Sequence, residues 1–166
     1  LVGSEMCIRD SIHELRGQEL ARELSEAHGG EFLYLPLDVT DTDGVQRQVA
    51  EVVDRKGSID VLVNNAGKGH NKTIETLTDA DWQASLDLNL MSAVRMCRAL
   101  VPQMRDRGWG RVVNISTRVA LEPDPYFAAY GAAKAGLVNF SKNLANAYSR
   151  DGVLTNCIVP GLIRSE

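Results

Sequence analysis

A tyrosine and a lysine stand four residues apart in the alanine-rich run Tyr130-Gly131-Ala132-Ala133-Lys134. If this run is helical, both side chains leave the same face, one turn apart. A phenol titrates near pH 10 in water, and its use as an acid or base at neutral pH requires a shift of about three units, worth roughly 4 kcal/mol. An ammonium about 4 Å away supplies on the order of 4 kcal/mol at an effective dielectric constant near 20. The pair therefore has the chemistry of a proton donor with an activating cation.

An isolated tyrosine and lysine at this spacing are more often a packed ring beside a solvated amine. The surrounding elements therefore determine whether the pair is catalytic. Short apolar runs alternate with helical patterns along the chain. The predicted strands cover residues 32–39, 59–63, 111–116 and 153–159, and the predicted helices cover residues 12–27, 40–57, 81–107 and 130–148. This alternation, with strands that are apolar on both faces, predicts an α/β fold with a parallel sheet and helices on each side.

Polar residues follow the predicted strands, at the edge of a parallel sheet where ligands bind. They are Asp38, Asn64-Asn65-Ala66-Gly67, Ser116-Thr117 and Pro160-Gly161. Asn89 lies on the apolar stripe of the helix predicted at residues 81–107. A buried amide is costly unless it has hydrogen-bond partners, so Asn89 is either a satisfied structural residue or part of a site. Capping boxes are predicted at Thr40 with Asp43 and at Thr78 with Asp81.

Composition restricts the class of protein. The chain has 166 residues, of which 44% are hydrophobic and 24% charged, as in one globular domain or a large piece of one. A net charge of -4 provides no basic field for nucleic acid. No apolar run reaches the roughly 18 residues of a membrane span, and no secretory signal is recognisable. Cys7, Cys97 and Cys157 lack metal-ligand spacing, which predicts a reduced cytoplasmic protein without a metal site.

Several short motifs occur in a fixed order along the chain. They are Asp38-Val39 at a strand end, Asn-Asn-Ala-Gly at 64–67, Asn89 within Leu-Asn-Leu, Asn-Ile-Ser-Thr at 114–117, Tyr130-x-x-x-Lys134, and Pro160-Gly161. In combination they resemble the short-chain dehydrogenase/reductase family. The resemblance implies a Rossmann-like, doubly wound parallel sheet flanked by helices. It also implies hydride transfer between NAD or NADP and a small-molecule carbonyl or secondary alcohol, of which 3-oxoacyl-carrier-protein reduction is one example.

The resemblance implies four catalytic residues. Tyr130 would be the general acid and base, and Lys134 would lower the pKa of Tyr130 and bind the nicotinamide ribose. Asn89 would hold a water molecule that links the lysine to solvent. The family places a substrate-binding hydroxyl thirteen residues before the tyrosine, which is Thr117 here, where the family usually has serine. Ser116 takes this role if the loop before Tyr130 is shifted by one residue.

The resemblance also implies a cofactor-binding set beyond Tyr130 and Lys134. Asp38 and Val39 match the positions at the adenine ring, and Asn65, Ala66 and Gly67 match the turn against the adenosine ribose. The segment with Pro160, Gly161, Ile163 and Ser165 matches the lining of the nicotinamide and pyrophosphate. NAD and NADP both stay open, because the discriminating residue at the end of the second family strand is not in this sequence. The helices with Asn89 and Tyr130 match the surface of a homodimer or homotetramer.

Residues 1–11 show no sustained period and resemble a translated sequencing adapter, so we expect a non-native leader followed by a partial domain at 12–166. The Gly-x-x-x-Gly-x-Gly turn of the family does not occur in the sequence, and neither does its C-terminal substrate segment. We therefore expect a piece of a longer enzyme that is incomplete at both ends and inactive by itself. A non-catalytic binding protein that retains the fold is the alternative.

Overall fold

A parallel sheet of three strands organises the computed structural model, which describes residues 14–162. The strands are β1 (Val61–Asn64), β2 (Gly110–Ile115) and β3 (Val153–Ile158), and they lie side by side in that order. In the register, Asn64 is opposite Asn114, which in turn is opposite Cys157. Three of the predicted strands are thereby confirmed, and so is the α/β class.

Within residues 14–162, five α-helices accompany these strands. They are α1 (Glu14–His28), α2 (Thr42–Lys56), α3 (Asp79–Leu86), α4 (Ser92–Asp106) and α5 (Ala128–Tyr148). A π turn, Asp87–Met91, joins α3 to α4, so the helix predicted at 81–107 is one helical rod with a wide turn inside it. Short 3₁₀ turns cover Arg118–Ala120 and Ser149–Asp151. None of the helices in residues 14–162 combines the length and the hydropathy that crossing a membrane would require.

One predicted helix cap is confirmed and the other is wrong. Thr78 and Asp81 form the expected capping box at the start of α3. At the start of α2 the capping residue is Asp41, whose side chain accepts a hydrogen bond from the backbone N–H of Asp43. The Thr40 hydroxyl instead donates to Asp38 at 2.7 Å. The prediction was wrong by one residue, because α2 begins at Thr42 and Asp41 occupies the N-cap position.

Residues 32–39, predicted as a strand, form no strand in the described part of the chain. A strand is assigned only where it is hydrogen-bonded to a neighbouring strand. Within residues 14–162, β1 pairs only with β2, so residues 32–39 have no strand partner. The apolar pattern still reports burial, since Leu37 and Val39 are both 8% exposed and belong to the core. The predicted leader at residues 1–11 and the predicted cofactor-binding residues Ile163 and Ser165 lie outside the described residues.

Helices α4 and α5 pack on one face of the sheet. Asn64 of β1 donates to Cys97 Sγ of α4 at 3.6 Å, and Asn114 of β2 donates to Ser141 of α5 at 2.8 Å. The core on this face contains Leu62, Val112 and Val153 from the strands and Met96, Cys97, Leu100, Val101 and Met104 from α4. On the opposite face, Val63, Leu154 and Ile158 are 54%, 43% and 51% exposed.

Candidate active site

The π turn places Asn89 against the loop that follows β1. The Asn89 side chain is buried, and its Oδ1 accepts the backbone N–H of Lys68 at 2.9 Å. Its Nδ2 donates to the carbonyl oxygens of Lys68 and Ser85, each at 3.0 Å. Both the oxygen and the nitrogen of the Asn89 amide therefore have hydrogen-bond partners. These bonds explain how a polar side chain can be buried on an apolar helix stripe. Single π turns inside α-helices are rare and frequently mark functional sites.

Lys134 is a buried amine in the middle of this arrangement. Only 3% of the residue is exposed, and Nζ donates to the carbonyl oxygen of Ile115, the last residue of β2, at 2.7 Å. Burial disfavours the charged form of the amine and holds the pKa of Lys134 below its ordinary value of 10.5. The lysine is thus anchored to a strand end by a neutral acceptor, and proton exchange at Nζ moves toward neutral pH.

The loop of residues 67–69 brings three predicted catalytic side chains together. A Cβ added to Gly67 would lie 2.8 Å from Asn89 Oδ1 and 3.0 Å from Lys134 Nζ. A Cβ added to Gly69 would lie 3.4 Å from a ring carbon of Tyr130. Asn89, Tyr130 and Lys134 therefore border one short backbone segment, although they come from two helices. Tyr130 lies in the first turn of α5, where the helix dipole favours negative charge.

Gly67→Ala in the full-length protein is expected to lower both stability and turnover. The added methyl group would overlap Asn89 Oδ1, which is fixed by its bond to Lys68, and would displace Lys134 Nζ from Ile115. Overpacking of this kind costs about 1–3 kcal/mol. Denaturant unfolding measures the loss, with Gly161→Ala as the control, because a Cβ there meets no atom within 4 Å. Equal stability of both variants would contradict the close approach.

The two adjacent hydroxyls after β2 differ in availability. Ser116 is 5% exposed, and its Oγ donates to the backbone carbonyl of Lys134 at 3.1 Å. Thr117 is partly exposed and has an extended backbone, and its hydroxyl has no hydrogen-bond partner within residues 14–162. The N–H of Arg118 donates to Pro160 O at 2.9 Å, which ties this loop to the end of β3. Of the two hydroxyls, the one on Thr117 is free to bind a ligand.

Asp38 and Val39 offer different groups to a ligand. Asp38 Oδ1 accepts the hydroxyl of Thr40 at 2.7 Å and its backbone N–H at 2.8 Å, and these bonds hold the pKa of Asp38 below its usual range. Oδ2 accepts no hydrogen bond within residues 14–162, so it is open to an amine donor such as that of adenine. The Val39 side chain is in the core, so only the backbone of this residue could meet a ligand.

The remaining predicted cofactor-binding residues lie along strand ends. Asn65, Gly67 and Gly161 are exposed, whereas Ala66 and Pro160 are partly buried. Gly67 exposes bare backbone on its solvent side, whereas Asn89 Oδ1 and Lys134 Nζ fill the space where a side chain would lie. These groups fit a dinucleotide, since they provide hydrogen-bonding atoms and a bare backbone on one edge of the sheet. Among residues 14–162 no cluster of three or more His, Cys, Asp or Glu could hold a metal ion.

A series of buried hydrogen bonds lies beneath the site and was not predicted from the sequence. Asn114 Oδ1 accepts from Asn64 Nδ2 at 2.7 Å, and Asn114 Nδ2 donates to Ser141 Oγ at 2.8 Å. Ser141 in turn donates to the Leu137 carbonyl at 2.7 Å. This series of hydrogen bonds fixes β1, β2 and α5 relative to one another below Lys134. Its signal in the sequence is an asparagine at an inward strand position in two of the motifs.

Cys97, which accepts a hydrogen bond from Asn64, is a buried thiol without a visible chemical role. Burial raises the pKa of Cys97 to about 12, so the thiol stays protonated at neutral pH. Cys97 and Cys157 are both free cysteines.

Comparison with known proteins identifies the family of this sequence. A sequence profile described as short chain dehydrogenase matches residues 3–166. The chain belongs to the short-chain dehydrogenase family. A 3-oxoacyl-[acyl-carrier-protein] reductase of Chlamydia muridarum is 35% identical over 155 residues, which are 93% of this chain and 62% of that protein. This short-chain dehydrogenase chain thus spans less than two thirds of the length of the relative.

Two solved structures share the fold. L-sorbose reductase from Gluconobacter frateurii, in complex with NADPH and L-sorbose, is 39% identical with a TM-score of 0.89, over 96% of this chain and 60% of that one. Gluconate 5-dehydrogenase from Burkholderia cenocepacia, in complex with NADP and tartrate, is 26% identical with a TM-score of 0.88, over 95% of this chain and 62% of that one. The Rossmann-like short-chain dehydrogenase fold predicted from the sequence is confirmed.

Within this short-chain dehydrogenase fold, several of the predicted residues are connected to one another. Asn89, Tyr130 and Lys134 border the loop of residues 67–69, and Thr117 follows the strand to which Lys134 is anchored. Pro160 joins the Thr117 loop through Arg118. Asp38 and Val39 lie in another segment, which contacts the rod containing Asn89 through Arg95, a residue that the sequence-based reasoning missed.

Proposed function

We propose that the full-length protein is an NAD- or NADP-dependent oxidoreductase that interconverts a small-molecule carbonyl compound and a secondary alcohol. The observation that carries this proposal is the convergence of Asn89, Tyr130 and Lys134 on the loop of residues 67–69. The nicotinamide supplies the hydride when it is bound, and the protein must supply a proton and hold the carbonyl in place. Reduction then adds one hydride to the carbonyl carbon and one proton to its oxygen.

Tyr130 is the proton donor in this proposal. Its phenol hydroxyl gives the proton to the carbonyl oxygen during reduction and takes one from the alcohol during oxidation. The Thr117 hydroxyl binds the same substrate oxygen, which the absence of a competing partner within residues 14–162 supports. Lys134 and the dipole of α5 stabilise the charge that develops on the phenol oxygen.

Lys134 and Asn89 restore the proton of Tyr130 in the same proposal. The carbonyl of Ile115 fixes one direction of Lys134 Nζ, and an ammonium has two further N–H groups for the ribose hydroxyls and for a water molecule. Asn89 holds the loop carbonyl of Lys68 in place beside this path, where a water molecule can bridge to solvent. Burial lowers the pKa of Lys134 from its ordinary value, which suits a group that passes protons on.

The cofactor lies along the carboxyl edge of the sheet in our proposal. Asp38 accepts the adenine amine, the backbone of residues 65–67 lies against the adenosine ribose, and residues 160–165 line the nicotinamide. The NADP and NADPH in the two solved relatives support a nicotinamide cofactor. The three relatives act on different substrates by name, so a 3-oxoacyl thioester is one candidate beside sugar-like ketones.

Turnover by the full-length protein tests the proposal directly. The protein is incubated with NADH or NADPH and a panel that contains a 3-oxoacyl thioester, a ketose and a simple ketone, and oxidation of the nicotinamide is followed by absorbance. We expect turnover with one of the two cofactors. Dinucleotide binding without turnover on the whole panel would favour a non-catalytic binding protein, and absence of both binding and turnover would overturn the proposal.

Thr117→Val and Ser116→Ala are expected to separate catalysis from stability. Thr117→Val keeps the shape but removes the free hydroxyl, so we expect kcat/KM to fall by about 5- to 150-fold, the effect of 1–3 kcal/mol. Ser116→Ala removes the bond to the Lys134 carbonyl, which costs about 1 kcal/mol of stability. Steady-state kinetics and denaturant unfolding of both variants measure this. The reverse pattern would assign the substrate hydroxyl to Ser116.

We also propose that the full-length protein acts in the cytoplasm as a homodimer or homotetramer. The free thiols of Cys97 and Cys157 support a reducing compartment. The family resemblance assigns the subunit contact to the helices that contain Asn89 and Tyr130. Light scattering of the purified full-length protein measures the assembly, and a monomeric mass would contradict it.

A further inference from the structure

Arg95 of α4 connects two segments that the proposed function uses for different purposes. Its side chain is 11% exposed, so the guanidinium group is largely withdrawn from water. Nε donates to the Thr42 hydroxyl at 3.0 Å, and Nη1 lies 3.5 Å from the Val39 carbonyl. These contacts hold the backbone that directly follows Asp38 and the start of α2.

The other side of the same guanidinium group faces the π turn. Nη2 forms an ion pair with the carboxylate of Asp87, and Nη1 lies 3.4 Å from the Asp87 backbone carbonyl. That carbonyl also accepts the N–H of Ser92, five residues further on, which is the bond that defines the wide turn. Arg95 therefore contacts the residue at which the helical rod changes from α to π geometry, two residues before Asn89.

We propose that Arg95 is a positioning residue that couples the adenine-binding segment to Asn89. By contacting Val39 and Thr42 on one side and Asp87 on the other, it sets the π turn that aims the Asn89 amide at Lys68. Displacement of the segment after Asp38 then reaches Asn89 through one planar, five-donor group, whose geometry a lysine cannot reproduce. The coupling rests on the proposed function for its catalytic meaning, whereas its structural part stands on these contacts alone.

The first test does not need activity. Hydrogen exchange of the Lys68 backbone amide, which donates to Asn89, is measured in the full-length protein with Arg95→Met, Arg95→Lys and Arg98→Met. Arg98 lies on the same helix, one turn further on, and is exposed. We expect exchange about 2- to 30-fold faster in Arg95→Met and unchanged in Arg98→Met. Unchanged exchange in a folded Arg95→Met protein would overturn the coupling.

Kinetics provide the second test. Arg95→Met is expected to lower kcat and to raise KM for the dinucleotide, each by about 2- to 30-fold. In an Asn89→Ala background we expect Arg95→Met to leave kcat nearly unchanged while the rise in KM persists. Independent, multiplicative effects on kcat would show that Arg95 does not act through Asn89.

Two safeguards keep these tests decisive. If Arg95→Met does not fold, because Asp87 is left without its cation, Arg95→Lys replaces it, and we expect exchange of the Lys68 amide to be faster than in the wild type there as well. If the wild-type full-length protein shows no dinucleotide-dependent turnover, the proposed function fails. The exchange measurement still decides whether Arg95 controls the π turn.

Discussion

Tyr130→Phe in the full-length protein is expected to reduce kcat by about 100- to 10,000-fold, the usual contribution of a positioned general acid or base. Phenylalanine keeps the ring that lies against Gly69 and packs edge-on against Phe127, with a centroid distance of 6.2 Å. Only the hydroxyl is removed. Without it, the alkoxide that forms when hydride reaches the carbonyl carbon has no protein proton donor.

The control for this variant is Tyr148→Phe. Tyr148 ends the same helix and packs against the core, away from the loop of residues 67–69, so loss of its hydroxyl should leave kcat unchanged. Titration of dinucleotide fluorescence measures cofactor binding by both variants and separates a lost proton donor from a lost binding site. Turnover of Tyr130→Phe close to the wild-type rate would remove Tyr130 from the proton-donor role, even if the dinucleotide binds.

Sequence patterns were sufficient for the elements that have both a period and a cap. The stripe that contains Ala93, Cys97, Leu100 and Met104 is buried as predicted, and Thr78 with Asp81 begins the helix at the expected place. Residues 32–39 show the limit of this approach. Their apolar side chains predict burial correctly, but strand pairing depends on a neighbour that the pattern of one segment does not identify.

The residues of the predicted site were easier to identify from the sequence than the residues that support them. Asn89, Tyr130 and Lys134 are conspicuous because polar side chains on an apolar stripe require an explanation, and the structure places all three beside one loop. The π turn left no trace, since one wide turn changes the helical period too little to be seen. Arg95 also gave no signal, because an arginine in an amphipathic helix is indistinguishable in sequence from a solvated one.

Lys134→Met should remove most of the catalytic activity without destabilising the fold at neutral pH. Methionine fills a similar volume but cannot donate to Ile115, bind the ribose or stabilise charge on the Tyr130 oxygen. We expect kcat to fall by about 100-fold or more. Stability should change little or rise by about 1 kcal/mol at neutral pH, because the variant no longer buries an amine whose charged form is disfavoured.

The pH dependence of unfolding distinguishes this explanation from simple repacking. Because burial lowers the pKa of Lys134 in the folded state below 10.5, the unfolded chain binds more protons between the folded and unfolded pKa values. The free energy of unfolding of the wild type should therefore rise with pH in that window, relative to Lys134→Met. Denaturant unfolding at neutral pH and near pH 10 measures the difference between the two proteins.

Lys142→Met is the matched control, since Lys142 is an exposed lysine on the same helix. It removes one amine without removing a buried one, so its stability relative to the wild type should stay constant over the same pH range, and kcat should not change. If Lys134→Met also tracked the wild type at every pH, the buried ammonium would not be disfavoured, and the proton-passing role that depends on its lowered pKa would lose its basis. If instead the two curves converge as the pH rises, the fold retains at Lys134 a group that costs stability at neutral pH, and its position beside Asn89 and Tyr130 is then best explained by catalysis.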